Sequence, residues 1–132
     1  MNTKDNMRMK HNQSFLDLVK DALSRVDEID IHQLKNKLEA QETIFVVDTR
    51  EDREWNQGRI PKSIHLGKGI IERDIENVIP NRSANIILYC QGGFRSALAA
   101  DSLLNMGYEN PVSLAGGFGD WMNNGFNIET DN

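Results

Sequence analysis

The sequence predicts an α/β fold in which a central, mostly parallel β-sheet is flanked by helices on both faces. Short runs rich in β-branched residues, at positions 44–47 and 86–89, alternate with stretches in which apolar residues recur every three or four positions. Each run is continuously apolar, which is typical of parallel strands buried on both faces. A chain of 132 residues, 39% of them apolar, suits one such domain and is too short for two.

Charge and cysteine content exclude several classes of protein. The 15 Lys and Arg residues are scattered among 20 Asp and Glu, so we expect no nucleic-acid-binding surface. The apolar runs are far shorter than the about 20 residues of a membrane-spanning helix, so we expect no membrane segment. Residues 1–12 are polar and lack the apolar segment of a secretory signal, which favours a cytoplasmic protein. The single cysteine, Cys90, excludes an intrachain disulfide.

The segment before the predicted domain carries one additional helix. We expect residues 1–13 to form a flexible polar extension and residues 14–28 an amphipathic helix, opened by a capping box of Ser14 and Asp17. This helix could pack against the domain, form a homodimer contact or dock a partner, and we favour packing or dimerisation. Its polar face mixes both charge signs, which argues against binding to an anionic membrane.

The predicted domain spans residues 29–127 and is followed by a polar tail at residues 128–132. Asp30, followed three residues later by Gln33, predicts a second capping box at the start of a short helix. The other elements follow from apolar periodicity and from glycine and proline at their ends: helices at 51–56, 70–79, 97–106 and 118–122, and strands at 44–47, 63–66, 85–89 and 112–114.

Three reactive or charged side chains follow predicted strands. Asp48, Arg50 and Cys90 should meet at one edge of the sheet, because ligands of parallel sheets bind at the carboxyl ends of the strands. The histidines share no metal-ligand spacing, so we expect no metal site and assign structural or solvent-exposed roles to His11, His32 and His65.

The loop that begins at Cys90 has the composition of an anion-binding loop. Gly92, Gly93 and Arg95 follow Cys90 immediately before a predicted helix. Backbone N–H groups and the positive end of that helix would then surround the sulfur and favour the thiolate, and Arg95 would add a positive charge. The glycines would permit close approach of the backbone and a positive φ. An inert core cysteine is the alternative, but such a residue requires none of these neighbours.

At these residues the sequence resembles the rhodanese-like sulfurtransferases in their small, single-domain form. The resemblance runs from about residue 29 to residue 126. The following segments carry it: Val47-Asp48-Thr49-Arg50-Glu51, Glu54-Trp55, Gly58-Arg59-Ile60-Pro61, residues 90–96, Gly107-Tyr108-Glu109-Asn110, Leu114-Ala115-Gly116-Gly117 and Trp121. It implies a three-layer α/β fold and an enzyme that uses no metal or organic cofactor.

The resemblance implies that Cys90 accepts a sulfane sulfur and holds it as a persulfide. The donor would be thiosulfate or a persulfide, and the acceptor cyanide, a thiol or a protein. Thioredoxin, a cysteine desulfurase and a sulfur-carrier protein are the protein partners that it suggests. The persulfide anion would be stabilised by the backbone amides of the active loop: Gln91, Gly92, Gly93, Phe94, Arg95 and Ser96.

Five further side chains receive roles by the same resemblance. Arg95 and Arg50 would help bind an anionic donor, and Asp48 would hold the loop in shape. Phe118 and Trp121 would form walls of the pocket. Two alternatives remain open: simple core packing of the aromatic pair, and a structural ion pair between Asp48 and Arg50.

The sequence departs from the family pattern in two places. Arg59 replaces a customary histidine and Lys62 a turn glycine, while Gln91 is neutral where members that use thiosulfate well are often basic.

Two other functions compete with sulfur transfer. Cysteine phosphatases and some arsenate reductases have five residues between Cys and Arg, whereas this loop has four. A persulfide carrier or binding module that serves one protein partner is the other alternative.

Overall fold

The computed structural model describes residues 11–131, which form an α/β domain around a five-stranded sheet. The strand order is β1-β5-β4-β2-β3 and every pairing is parallel, so the predicted fold class is confirmed. In chain order the elements are α1 (Gln13–Leu23), β1 (Asp27–Ile29), α2 (Ile31–Glu39), β2 (Phe45–Asp48), α3 (Asp52–Gln57), β3 (Ile64–His65), α4 (Ile71–Val78), β4 (Asn85–Tyr89), α5 (Phe94–Asn105), β5 (Asn110–Leu114) and α6 (Gly117–Asn123).

The central strand β4 lies between two hydrophobic cores, and this position explains why its sequence is continuously apolar. Ile86 and Leu88 belong to the core on one face of the sheet, whereas Ile87 and Tyr89 belong to the core on the other. Because successive side chains of a strand point to opposite faces, a strand with a core on each side needs apolar residues at every position. Helices α4 and α5 contribute to the first core, and α2 and α6 to the second.

The sheet register brings the candidate site residues to one edge. In the pairing of β2 with β4, Asp48 lies opposite Tyr89, so both strands end at the same level. The Thr49 N–H extends the ladder by donating to Tyr89 O at 2.9 Å. The residues that follow, Arg50 and Cys90, therefore leave the sheet at the same edge, as predicted.

The N-terminal helix packs against α5, one of the two outcomes favoured from sequence. Val19 and Ala22 are buried, and Arg25 forms an ion pair with Asp101 on α5 (2.8 Å). The predicted capping box at Ser14 is wrong, because the helix already includes Gln13, whose side chain donates to Asp17 at 2.8 Å. Of the predicted flexible extension, residues 1–10 lie outside the described residues.

The predicted extent of that helix, to residue 28, is also wrong. Residues Asp27–Ile29 form the edge strand β1, which pairs with residues 112–114 of β5. A strand of three mostly exposed residues is too short to show an apolar periodicity. Only its pairing with β5 identifies it. By contrast, the predicted capping box of Asp30 and Gln33 is confirmed, with reciprocal bonds of 2.9 and 2.8 Å.

Two features at the C-terminal end differ from expectation. Strand β5 begins at Asn110, two residues before the predicted start; Pro111 is tolerated there because the pairing with β1 begins only at Val112. In the predicted polar tail, Glu129 exchanges two backbone hydrogen bonds with Arg59, of 3.0 and 2.8 Å.

None of the helices formed by residues 11–131 has both the length and the apolar composition that a membrane span requires.

Candidate active site

The loop between β4 and α5 is shaped by one left-handed glycine. Gly93 is the N-cap of α5 with φ of 100°, and a Cβ there would lie 3.3 Å from Gly116 N and Leu114 O. Both observations favour glycine, as predicted. The prediction is wrong for Gly92, which has no positive φ and whose Cβ position faces open space. Gly92 therefore allows other side chains.

The Cys90 sulfur lies at the base of this loop with only 1% of the residue exposed. The N–H groups of Gly93 and Ser96 donate to Sγ at 3.1 and 3.4 Å, and the thiol lies 3.5 Å from Ser96 Oγ. A second hydroxyl, that of Ser113, lies 2.8 Å from Ser96 Oγ and fixes its position. Two backbone N–H groups and the N-terminus of α5 are therefore directed at the sulfur.

The first turn of α6 holds the main chain of the loop in place. The Phe118 N–H donates to Cys90 O at 2.8 Å, and the Gly119 N–H donates to Gln91 O at 2.9 Å. This close approach requires Gly117, because a Cβ at its φ of 55° would lie 2.4 Å from Cys90 O. The sequence alone did not identify this contact, although Gly116-Gly117 marked a turn.

We predict that Gly117→Ala displaces the active loop. The backbone clash and the left-handed φ should together destabilise the protein by about 2 kcal/mol. Urea unfolding measures this loss, and the alkylation rate of Cys90 reports the displaced loop. The matched control is Gly92→Ala in the same loop, which should change stability by less than about 0.5 kcal/mol. Equal effects of the two substitutions would contradict the assigned contact.

Phe118 and Trp121 lie in the second core rather than on the cavity beside Cys90. Their exposures are 5% and 3%, and the Trp121 indole N–H donates to Asn127 O at 2.8 Å. Phe118 therefore supports the loop through its backbone N–H, while its ring packs beside Tyr89. This placement corresponds to the core-packing alternative and not to the predicted pocket walls.

Asp48 and Arg50 form a buried ion pair. The Arg50 guanidinium donates to both Asp48 oxygens at 2.8–3.1 Å and to Gly58 O at 2.7 Å, and both side chains are almost wholly buried. Burial opposes the charged form of Arg50, but the hydrogen bonds and charge of Asp48 outweigh it and raise the pKa of the guanidinium. The arrangement corresponds to the structural alternative.

Arg50 also lies apart from the sulfur. It stacks over the Phe118 ring at 4.3 Å and lines a cavity of about 680 Å³ whose other lining residues are Glu51, Asp52, Arg53, His65, Gly67, Gly69 and Ile70. Cys90 is not among them. Arg50 and Cys90 therefore line two different cavities of the described residues, whereas the predicted part of Arg50 in donor binding requires a shared one.

Arg95 does lie on the Cys90 cavity, but its charge is already paired. It donates to both carboxylate oxygens of Glu54, at 2.9 and 3.1 Å. These bonds hold the pKa of Glu54 below its ordinary value. Glu54 was not predicted to be a site residue, although Glu54-Trp55 is one of the segments that carry the resemblance. It lies three residues after Glu51, whose backbone N–H donates to its side chain at 3.1 Å.

The Glu54–Arg95 pair gives a prediction for stability against pH. Because the pKa of Glu54 is lowered in the folded state, the pair stabilises the protein above the ordinary carboxyl value of 4.5 and loses this effect as the pH falls through the folded value. Glu54→Gln should lower the Tm near neutral pH by about 4 °C, equivalent to about 1 kcal/mol for a partly exposed pair. The Tm difference should shrink below pH 4.5. A difference independent of pH would contradict this assignment.

The cavity beside Cys90 has a volume of about 330 Å³. His11 was expected to have a structural or solvent-exposed role in a polar extension, yet it lines this cavity together with Phe15 of α1. The extension has no apolar periodicity, so no sequence signal linked it to Cys90. The lining residues are His11, Phe15, Cys90, Gln91, Gly92, Phe94 and Arg95.

Metal ligands are not grouped in the part of the chain that the structure describes. Residues 11–131 contain no cluster of three or more His, Cys, Asp or Glu side chains that could hold a metal ion. The chemical groups beside the cavity include the Cys90 thiol, the backbone donors of the loop, the paired Arg95 and the His11 imidazole.

Comparison with known proteins finds relatives by sequence and by fold. A sulfurtransferase from Allochromatium vinosum is 32% identical over 78% of this chain and 94% of its own length. A Bacillus subtilis protein whose name includes "sulfur carrier protein" is 28% identical over 74% of this chain, which spans about half (52%) of that protein. A Rhodopseudomonas palustris structure, described as a possible tyrosine phosphatase, superposes with a TM-score of 0.82 at 26% identity and covers 90% of this chain and 96% of its own. The family profile described as "Rhodanese-like domain" matches residues 30–124, so the chain belongs to the rhodanese-like domain family.

Proposed function

We propose that this protein transfers a sulfane sulfur through a persulfide on Cys90. The Cys90 thiolate attacks the outer sulfur of the donor, an S–S bond forms to Cys90, and the bond within the donor breaks. The electron pair leaves with the rest of the donor, as sulfite from thiosulfate or as a thiolate from an organic persulfide. The acceptor then attacks the outer sulfur of the persulfide, and Cys90 departs again as a thiolate.

One observation carries this proposal: the Gly93 and Ser96 N–H groups both point at the Cys90 sulfur. They stabilise the thiolate before the reaction and the thiolate that leaves after it, at no cost in reorganisation. The clamp of α6 on Cys90 O and Gln91 O keeps them in position. Membership of a family with named sulfurtransferases supports sulfur transfer as the general activity.

For the physiological donor and acceptor we propose chemical classes rather than single compounds. The donor is thiosulfate or a persulfide, and the acceptor is cyanide, a small thiol or a protein thiol such as that of thioredoxin. A cysteine desulfurase as donor and a sulfur-carrier protein as acceptor fit the same chemistry. We place the reaction in the cytoplasm, where reducing conditions keep the Cys90 thiol free.

A non-turnover persulfide carrier is the second candidate, supported by the name of the Bacillus subtilis relative. A phosphatase is the third, supported by the description of the Rhodopseudomonas palustris structure. Against a phosphatase, only four residues separate Cys90 from Arg95, and the Arg95 guanidinium is held by Glu54 rather than free for an oxyanion.

The test is the intact mass of the protein after incubation with thiosulfate or with glutathione persulfide. We expect a gain of one sulfur atom that added cyanide removes as thiocyanate. Protein whose thiol has been blocked with iodoacetamide is the control and should gain nothing. Loading by a persulfide without turnover on cyanide or thiols would favour the carrier. Hydrolysis of p-nitrophenyl phosphate without sulfur loading would favour the phosphatase.

A further inference from the structure

Three aromatic rings form one side of the Cys90 cavity. The His11 ring lies 5.2 Å from Phe15 and 5.1 Å from Phe94, and the Phe15 and Phe94 rings are 6.1 Å apart. We call these three rings the aromatic wall. Two of its members precede the family match, which begins at residue 30. These two rings, His11 and Phe15, therefore lie outside the matched segment, in helix α1 and in the residue before its N-cap.

The same cavity offers little to a small dianion. Among its lining residues Arg95 is the one with a permanent positive charge, and Glu54 binds both of its terminal nitrogens. Gln91 is neutral, and Arg50 is paired with Asp48 on another cavity. A strongly hydrated dianion would lose its water here without gaining an unpaired cation.

We propose that the aromatic wall determines the donor specificity of Cys90, favouring donors whose sulfane sulfur is carried on an aromatic group with at most one negative charge. An aromatic group of the donor would lie against the rings of Phe15 and His11 while its outer sulfur faces Sγ. Offset and edge-to-face ring contacts in a cavity of this size would hold the donor in position for attack. This inference rests on the proposed sulfur transfer and specifies its substrate class.

Three donors of matched chemistry test the proposal: benzenethiosulfonate, methanethiosulfonate and thiosulfate. In each, Cys90 takes the outer sulfur and the leaving group is benzenesulfinate, methanesulfinate or sulfite. The first two are monoanions that differ in the ring, and thiosulfate is the dianion. We would measure kcat/KM for each donor at saturating cyanide, in the wild type and in His11→Ala, Phe15→Ala and Leu18→Ala. Comparing each variant with the wild type cancels the intrinsic reactivity of the donors.

Loss of one ring should lower kcat/KM for benzenethiosulfonate about tenfold and change it for methanethiosulfonate and thiosulfate less than about twofold. Leu18 lies on the same helix but is 59% exposed and off the cavity, so Leu18→Ala should change none of the three. His11 is exposed and precedes α1, so His11→Ala tests the wall even where Phe15→Ala perturbs the helix.

Two results would overturn the inference while sulfur transfer stands. One is an unchanged kcat/KM for all three donors in His11→Ala and Phe15→Ala. The other is an equal loss for all three donors, which would mean that the rings only support the loop. If no donor loads Cys90 in the mass measurement, the proposed function fails and the inference fails with it.

Discussion

Replacing Cys90 with serine is expected to abolish sulfur transfer, lowering kcat/KM for every donor by more than about 10³-fold. The serine hydroxyl is almost fully protonated at neutral pH and is a far weaker nucleophile toward sulfur. Oxygen in this position also cannot hold the transferred atom as a persulfide. The Gly93 and Ser96 N–H groups that donate to Sγ would still find an acceptor in the serine oxygen, so the fold should survive.

The readouts for Cys90→Ser are thiocyanate formation and intact mass. Cys90 is the one cysteine of the chain, so any residual sulfur loading would have to use another kind of side chain. A Tm within a few degrees of the wild type would show that the loss is chemical rather than structural. Substantial transfer by the folded variant would refute the persulfide mechanism.

The parts of the site that could be predicted from sequence lie close together along the chain. The turn from β4 into α5 places Cys90, Gly93 and Ser96 within seven residues, and a strand, a glycine and a helix start are each visible in the sequence. The capping box of Asp30 and Gln33 is visible for the same reason. Local geometry determines these contacts, so local patterns reveal them.

The parts that were missed depend on contacts between distant residues. Glu54 and Arg95 are 41 positions apart, and no local pattern in the sequence links the two side chains. His11 reaches the Cys90 cavity only because α1 packs on α5, and that packing rests on contacts such as Arg25 with Asp101, 76 positions apart. Strand β1 is similarly defined by its partner β5 rather than by its own residues.

Arg50→Met is expected to cause the largest loss of stability, about 3–5 kcal/mol in the free energy of unfolding. Methionine retains much of the apolar length of arginine, but it leaves the Asp48 carboxylate buried without its bidentate partner and Gly58 O without a donor. Urea unfolding monitored by circular dichroism measures the effect. Arg53→Met, at an exposed neighbouring position, is the matched control and should change stability by less than about 0.5 kcal/mol.

The same variant separates the two roles considered for Arg50. If the pair is structural, adding Asp48→Asn should recover part of the stability, because no buried charge then remains unpaired. Any loss of activity per folded molecule should then be equal for thiosulfate and for benzenethiosulfonate. If Arg50 instead binds the anionic donor, the loss should be concentrated on the dianion, and the double variant should not restore it. Because Arg50 lies on a cavity that Cys90 does not line, we expect the first result.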